Sequence, residues 1–130
     1  MAAAVISLAA FANVAFGDEI KLMLAGGNEV PPVKTAAMGQ GTITINPDMT
    51  VSGSITTSGV AGTMAHIHQG AAGANGPIII PLVKAGENIW KVPAGAKLTE
   101  DQYKAYKAGD LYVNVHSAAH KGGEIREQLK

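Results

Sequence analysis

The stretch "GQGTITINPDMTVSGSITTSGV", residues 39–60, decides the fold class. Thr42 to Ile45 alternate polar and apolar, "NPDMT" (46–50) carries turn residues, and Val51 to Thr57 run back. This is a β-hairpin, and the same pattern continues on both sides of it. Upstream, "EIKLMLAG" (19–26) alternates through Ile20, Leu22 and Leu24. Downstream, "MAHIH" (64–68), "PIIIPLV" (77–83), "ENIWKV" (87–92), "LYVNVH" (111–116) and "GEIREQL" (123–129) read as further strands. The continuous apolar run 77–83 predicts a strand covered on both sides or at its ends. Trp90 is the largest core candidate. One helix interrupts the series over 98–110. Thr99 is its N-cap and Gln102 completes the capping-box spacing; Glu100 and Asp101 stand in the first turn, and Gly109 follows Lys104 and Lys107. Tyr103 and Tyr106 share its buried side. About eight short strands and one short connector helix predict an all-β fold, an antiparallel Greek-key β-sandwich or barrel.

At 130 residues the chain holds one domain, and no internal repeat or linker divides it. An apolar fraction of 47% against 15% charged suits a packed core, built mostly from aliphatic residues because aromatics reach only 5%. Ten basic residues balance ten acidic ones. No basic cluster exceeds two residues, which argues against nucleic acid or anionic membrane as the main partner.

Residues 2–16 carry no charge and are mostly Ala, Val, Leu, Ile and Phe. The run is short for a bilayer span, and Ala15-Phe16-Gly17 offers small residues at −3 and −1 before Asp18. Residues 1–17 therefore read as a signal peptide, without a positive n-region, as one truncated at its start would be. Residues 18–130 form the mature domain, periplasmic or secreted, with no membrane insertion after signal removal. There is no cysteine, so disulfides, thiolate ligands and thiol nucleophiles are ruled out.

All four histidines fall in two short segments. His66 and His68 lie in "AHIHQG" (65–70), and His116 and His120 in "VNVHSAAHKGGEIR" (113–126). Strand side chains alternate faces, so His66 and His68 point together, with Ala65 and Ile67 opposite. Likewise Leu111, Val113 and Val115 form one face of their strand, and Tyr112, Asn114 and His116 the other. Imidazoles two residues apart are separated by roughly 6.5–7 Å along the backbone, and can converge on an ion at about 2.0–2.1 Å each. If the last strands pack beside the His66 strand, His116 becomes a third ligand. His120 stands in a glycine-bordered loop that either folds it over the site or leaves it in solvent. Nitrogen donors without thiolate suit copper or zinc, with copper favoured by intrinsic affinity. Iron has less support, since Glu124 is the only carboxylate near either cluster. The competing reading is a set of ordinary polar residues on an exposed sheet surface.

Arg126 projects with Glu124 and Gln128 from one face. It reads either as part of an exposed Arg–Glu ladder or as a guide drawing an anion toward a metal. Other chemistries lack their frames. There is no G-x-S-x-G, and Ser117 has no oriented base. "GAAGANG" (70–76) lacks the lysine and the helix of a phosphate cradle and reads as a flexible turn.

The blocks "GGNEVPPVKTAAMGQGTITI", "AHIHQGAAGANGPIIIPL" and "GDLYVNVHSAAHKGGEIREQL" resemble the CHRD domain family, named for the repeats of chordin, over about residues 22–129. Glu127 departs from the family, which more often has glycine there. The resemblance implies a β-sandwich in an exported protein and assigns no chemistry. A looser resemblance is to copper/zinc superoxide dismutases, which also place His-x-His on a Greek-key strand. It implies copper ligands at His66, His68 and either His116 or His120, with Arg126 guiding superoxide. With no histidine between His68 and His116, that resemblance extends only to a copper-only centre. Three functions follow: an exported copper-binding protein for copper handling or tolerance, a copper-only redox enzyme, or a structural or protein-binding module without metal.

Overall fold

Residues 17–130 are described in the computed structural model of the chain. The signal-peptide expectation falls on residues 1–16 almost entirely, outside the described residues. The elements are β1 (Asp18–Ala25), a 3-10 turn (Gly26–Asn28), β2 (Met38–Ile45), β3 (Val51–Ser58), β4 (Gly62–Gln69), β5 (Ile78–Pro81), β6 (Val83–Gly86), β7 (Ile89–Lys91), α1 (Glu100–Lys107), β8 (Leu111–Ser117) and β9 (Ile125–Gln128). They form one nine-stranded antiparallel sheet in the order β5-β4-β8-β9-β1-β2-β3-β7-β6.

The hairpin forms where the alternation predicts it. Ile45 pairs with Val51 and Met38 with Ser58, and Asp48 Oδ1 accepts from the Thr50 amide and hydroxyl inside the turn. Met49 takes the left-handed conformation there, at φ +73°. Ile20, Leu22, Leu24, Ile43, Ile45 and Ile55 turn inward and are buried. Each such side chain contributes about 1.5–3 kcal/mol relative to exposure.

Connectivity forces the sheet to curl. In the sheet order β3 and β4 stand five positions apart, about 24 Å if flat at 4.8 Å per strand. Only residues 59–61 join them, and four virtual bonds span at most about 15 Å. The sheet therefore closes toward a barrel, and Gly62 lies against both Trp90 of β7 and Val115 of β8. Helix α1 caps as its sequence predicts, with the Thr99 hydroxyl accepting from Gln102 N–H and the Gln102 side chain accepting from Thr99 N–H. Tyr106 is buried and its hydroxyl donates to Asp18, while Tyr103 is half-buried beside it.

The run 77–83 departs from expectation. It splits into β5 and β6 at opposite ends of the sheet order, so there are nine strands and not eight. Proline explains the division: Pro81 has no N–H to donate and ends β5, which is tolerated on an edge strand. Ile78 and Val83 are half exposed, Ile80 and Leu82 are buried in the core, and Ile79 packs against it partly buried.

The polar face of β4, β8 and β9 is also buried, because loops roof it. All seven residues of β8 are buried. Asn28 Nδ2 donates to Arg126 O, Thr35 Oγ1 to Glu124 Oε2, and Asn75 Nδ2 to Val30 O, which fastens the 26–35 and 70–77 segments over the strands.

Candidate metal centre

Strands β4 and β8 are neighbours, and their register pairs Met64 with His116, His66 with Asn114, and His68 with Tyr112. Alternation then places His66, His68 and His116 on the roofed face, opposite Ala65, Ile67 and Val115 in the core. All three imidazoles are buried, so the exposed-surface reading is corrected. Their ligand nitrogens lie within 4.8 Å of one another. Ring centroids stand 4.8 Å apart for His66–His116 and 5.4 Å for His66–His68. An ion with bonds of about 2.0–2.1 Å in tetrahedral geometry sets its nitrogens about 3.4 Å apart. His66 Nδ1 and His116 Nε2 are already 3.0 Å apart.

Backbone carbonyls fix two of the tautomers. His116 Nδ1 donates to Lys121 O at 2.8 Å, and His68 Nδ1 donates to Gly76 O at 3.0 Å. A carbonyl only accepts, so both rings carry their proton on Nδ1 and present the Nε2 lone pair. At His116 that lone pair accepts from His66 Nδ1–H. At His68, Nε2 is buried and has no partner. A ligating histidine with its second nitrogen held by a carbonyl is the usual arrangement at metal sites. Burial, reinforced by His116 and His68, holds His66 down to about 4. Burial also lowers His68, against the Gly76 carbonyl that favours its charged form. Both rings are therefore neutral at pH 7, the state that binds metal.

His120 is not in this group. It is partly exposed, in the turn after β8, with its backbone N–H on Ser117. Glu124 also points elsewhere, accepting from Thr35 Oγ1 and Ser117 Oγ.

Arg126 is 1% exposed, which overturns the exposed Arg–Glu ladder. Its Nη1 donates to Asn75 Oδ1 at 3.0 Å and its Nη2 to the Ala74 and Ala71 carbonyls. The guanidinium lies over the Tyr112 ring, which also stacks on His68. The 70–76 segment is thereby pinned, not the flexible turn its glycines predict. Tyr112 Oη accepts from Gly76 N–H at its far end.

Two residues of the site escaped the sequence reading. Asn114 was placed on the histidine face without a role, and it sits at the centre of that face, between His66 on β4 and Arg126 on β9. Glu29 reaches the same patch from the segment after β1. Its one signal was a lone acid inside "GGNEVPP".

Comparison with curated proteins and with solved structures gives no match. A family model, the CHRD domain, matches residues 20–129, nearly the whole chain. With the barrel and its buried histidine face in place, that match settles kinship: the chain belongs to the CHRD domain family.

Proposed function

We propose that this CHRD domain is an exported protein that binds a transition metal, copper first and zinc second, through His66, His68 and His116, and that it serves copper handling or tolerance. One observation carries the reading. Three buried imidazoles converge, two have tautomers set by backbone carbonyls, and His68 Nε2 is left as a buried lone pair without a donor. An orphaned buried acceptor costs about 1–3 kcal/mol, and a cation relieves it. Copper is favoured by intrinsic affinity at nitrogen sites. Export rests on the uncharged residues 2–16 and the small residues before Asp18.

Calorimetric titration of the metal-stripped protein with Cu(II) and then Zn(II) tests it. One ion per chain is expected, lost in His68→Ala and His116→Ala and retained in His120→Ala. Absence of binding would overturn the reading and leave the histidines as interior polar packing, the structural-module alternative. A redox function of the same centre is favoured by its three-ligand count, since three protein ligands leave a position for an exchangeable one.

A further inference from the structure

Three buried side-chain atoms among the described residues have no hydrogen-bond partner: Glu29 Oε2, His68 Nε2 and Asn114 Oδ1. All three belong to one patch. The Asn114 amide interacts with the Glu29 carboxyl on one side and with the His68 ring on the other. Glu29 is 4% exposed and Asn114 2%.

Their chemistry does not cancel. His68 carries its proton on Nδ1, so Nε2 only accepts, and Asn114 Oδ1 only accepts. Neither can satisfy the other. The facing acceptors His68 Nε2 and Asn114 Oδ1 suit a group that takes a lone pair at one end and donates hydrogen bonds at the other. A metal ion on His68 Nε2 bearing a water molecule has that character; a bare ion satisfies the nitrogen and leaves Asn114 Oδ1 unpartnered.

The patch borders Gly123 and, through Glu29, a cleft. Gly123 stands at φ +121°, and a Cβ there would collide with Glu29 Oε2 and come within 2.5 Å of Asn114 Nδ2. Only glycine lets the backbone at 123 pack this closely on Glu29 and Asn114. Glu29 also lines a cleft of about 500 Å³, bordered by Pro31, Pro32, His120, Gly122 and Gly123, which leads to solvent.

We infer that Glu29 and Asn114 are positioning residues that hold the exchangeable fourth donor of the centre, a water or hydroxide, beside His68. The inference rests on the metal reading above. In it, Asn114 Oδ1 accepts a hydrogen bond from the bound water and Asn114 Nδ2 faces the Glu29 carboxyl.

The test is electron paramagnetic resonance of the Cu(II)-loaded protein in ¹⁷O-enriched water, with copper stoichiometry measured first. Oxygen-17 broadening is expected in the wild type, lost in Asn114→Leu and kept in Asn114→Asp, with one copper per chain in all three. No broadening in the wild type, or equal broadening in Asn114→Leu, overturns the inference while leaving the metal reading intact. Failure of the wild type to bind copper removes the copper centre on which the inference rests, and is seen at the stoichiometry step. Should Asn114→Leu not fold, the nearly isosteric Glu29→Gln decides. Its exchangeable-proton couplings, compared in H₂O and D₂O, are expected to differ from the wild type, and unchanged couplings overturn the inference.

Discussion

Arg126 lies over the ring of Tyr112 with its guanidinium carbon 3.4 Å from the ring centroid. His68, from the strand on the other side of β8, stacks on the same ring at 4.7 Å and 4°. The three side chains tie β4, β8 and β9 together under the 70–77 segment, and the arginine fork reaches that segment's carbonyls and the Asn75 side chain. One buried cation therefore pins the 70–77 part of the roof over the histidines.

Replacing that cation tests the dependence. Arg126→Lys keeps the charge and loses the planar fork, so Asn75 Oδ1 and the loop carbonyls go unpaired. A loss of about 3 kcal/mol in stability is expected. Amide exchange at residues 71–76 should rise with it, measured by hydrogen–deuterium exchange. Unchanged protection there would mean that the loop holds itself.

Gly123→Ala should be costly for two reasons, the positive φ and the collision with Glu29. A destabilisation of about 2 kcal/mol or more is expected, read as the shift in urea midpoint. Glu29→Gln would not rescue it, because the clash is steric.

Acid and base act on the metal-free domain in opposite directions. His66 is held at about 4 when folded, below its ordinary 6.5, so the unfolded chain binds more protons between these values. Stability from this group falls as pH drops from 6.5 toward 4. Burial pushes Glu29 up to about 7, against Arg126 and Asn114, so the folded chain holds the extra proton. Stability from this group falls as pH rises from 4.5 toward 7. The two slopes offset one another near pH 5–6. In Glu29→Gln the second slope disappears, so its melting temperature relative to wild type should climb between pH 4.5 and 7. A discounted penalty of about 1 kcal/mol corresponds to about 4 °C in a domain of this size. A constant difference across that range would show that Glu29 titrates normally.

Copper should stabilise the folded state by about 2.7 kcal/mol at a hundredfold excess over the dissociation constant. The gain should disappear in His68→Ala, and shrink on acidification as the ligands protonate. Thermal melts with and without Cu(II) check both.

Much of the barrel was legible because burial follows alternation: Ile20, Leu22, Leu24, Ile43, Val113 and Val115 all face inward as their spacing predicts. The helix was legible through Thr99 and Gln102, a local device with a local signature. The 77–83 run misled because apolarity there reports two half-covered edge strands, and only Pro81 hinted at the break. The grouping of His66, His68 and His116 was conditional on β4 and β8 being neighbours, a long-range fact that spacing cannot supply. Arg126 and Glu29 were misjudged or missed for a related reason. A charged residue is buried only when something covers it, and the cover comes from segments 26–35 and 70–77, whose sequences look like surface turns.

The sheet order has a consequence for synthesis. Strands β8 and β9 fill the place between β4 and β1. A nascent chain that has emerged only through residue 110 has β1 and β4 with unpaired edges, and neither His116 nor Arg126 to join. Such edges invite pairing with other chains. The barrel therefore closes late, through contacts of long sequence separation that slow folding. The histidine triad can assemble only once β8 and β9, made after β4, have entered the sheet between β4 and β1.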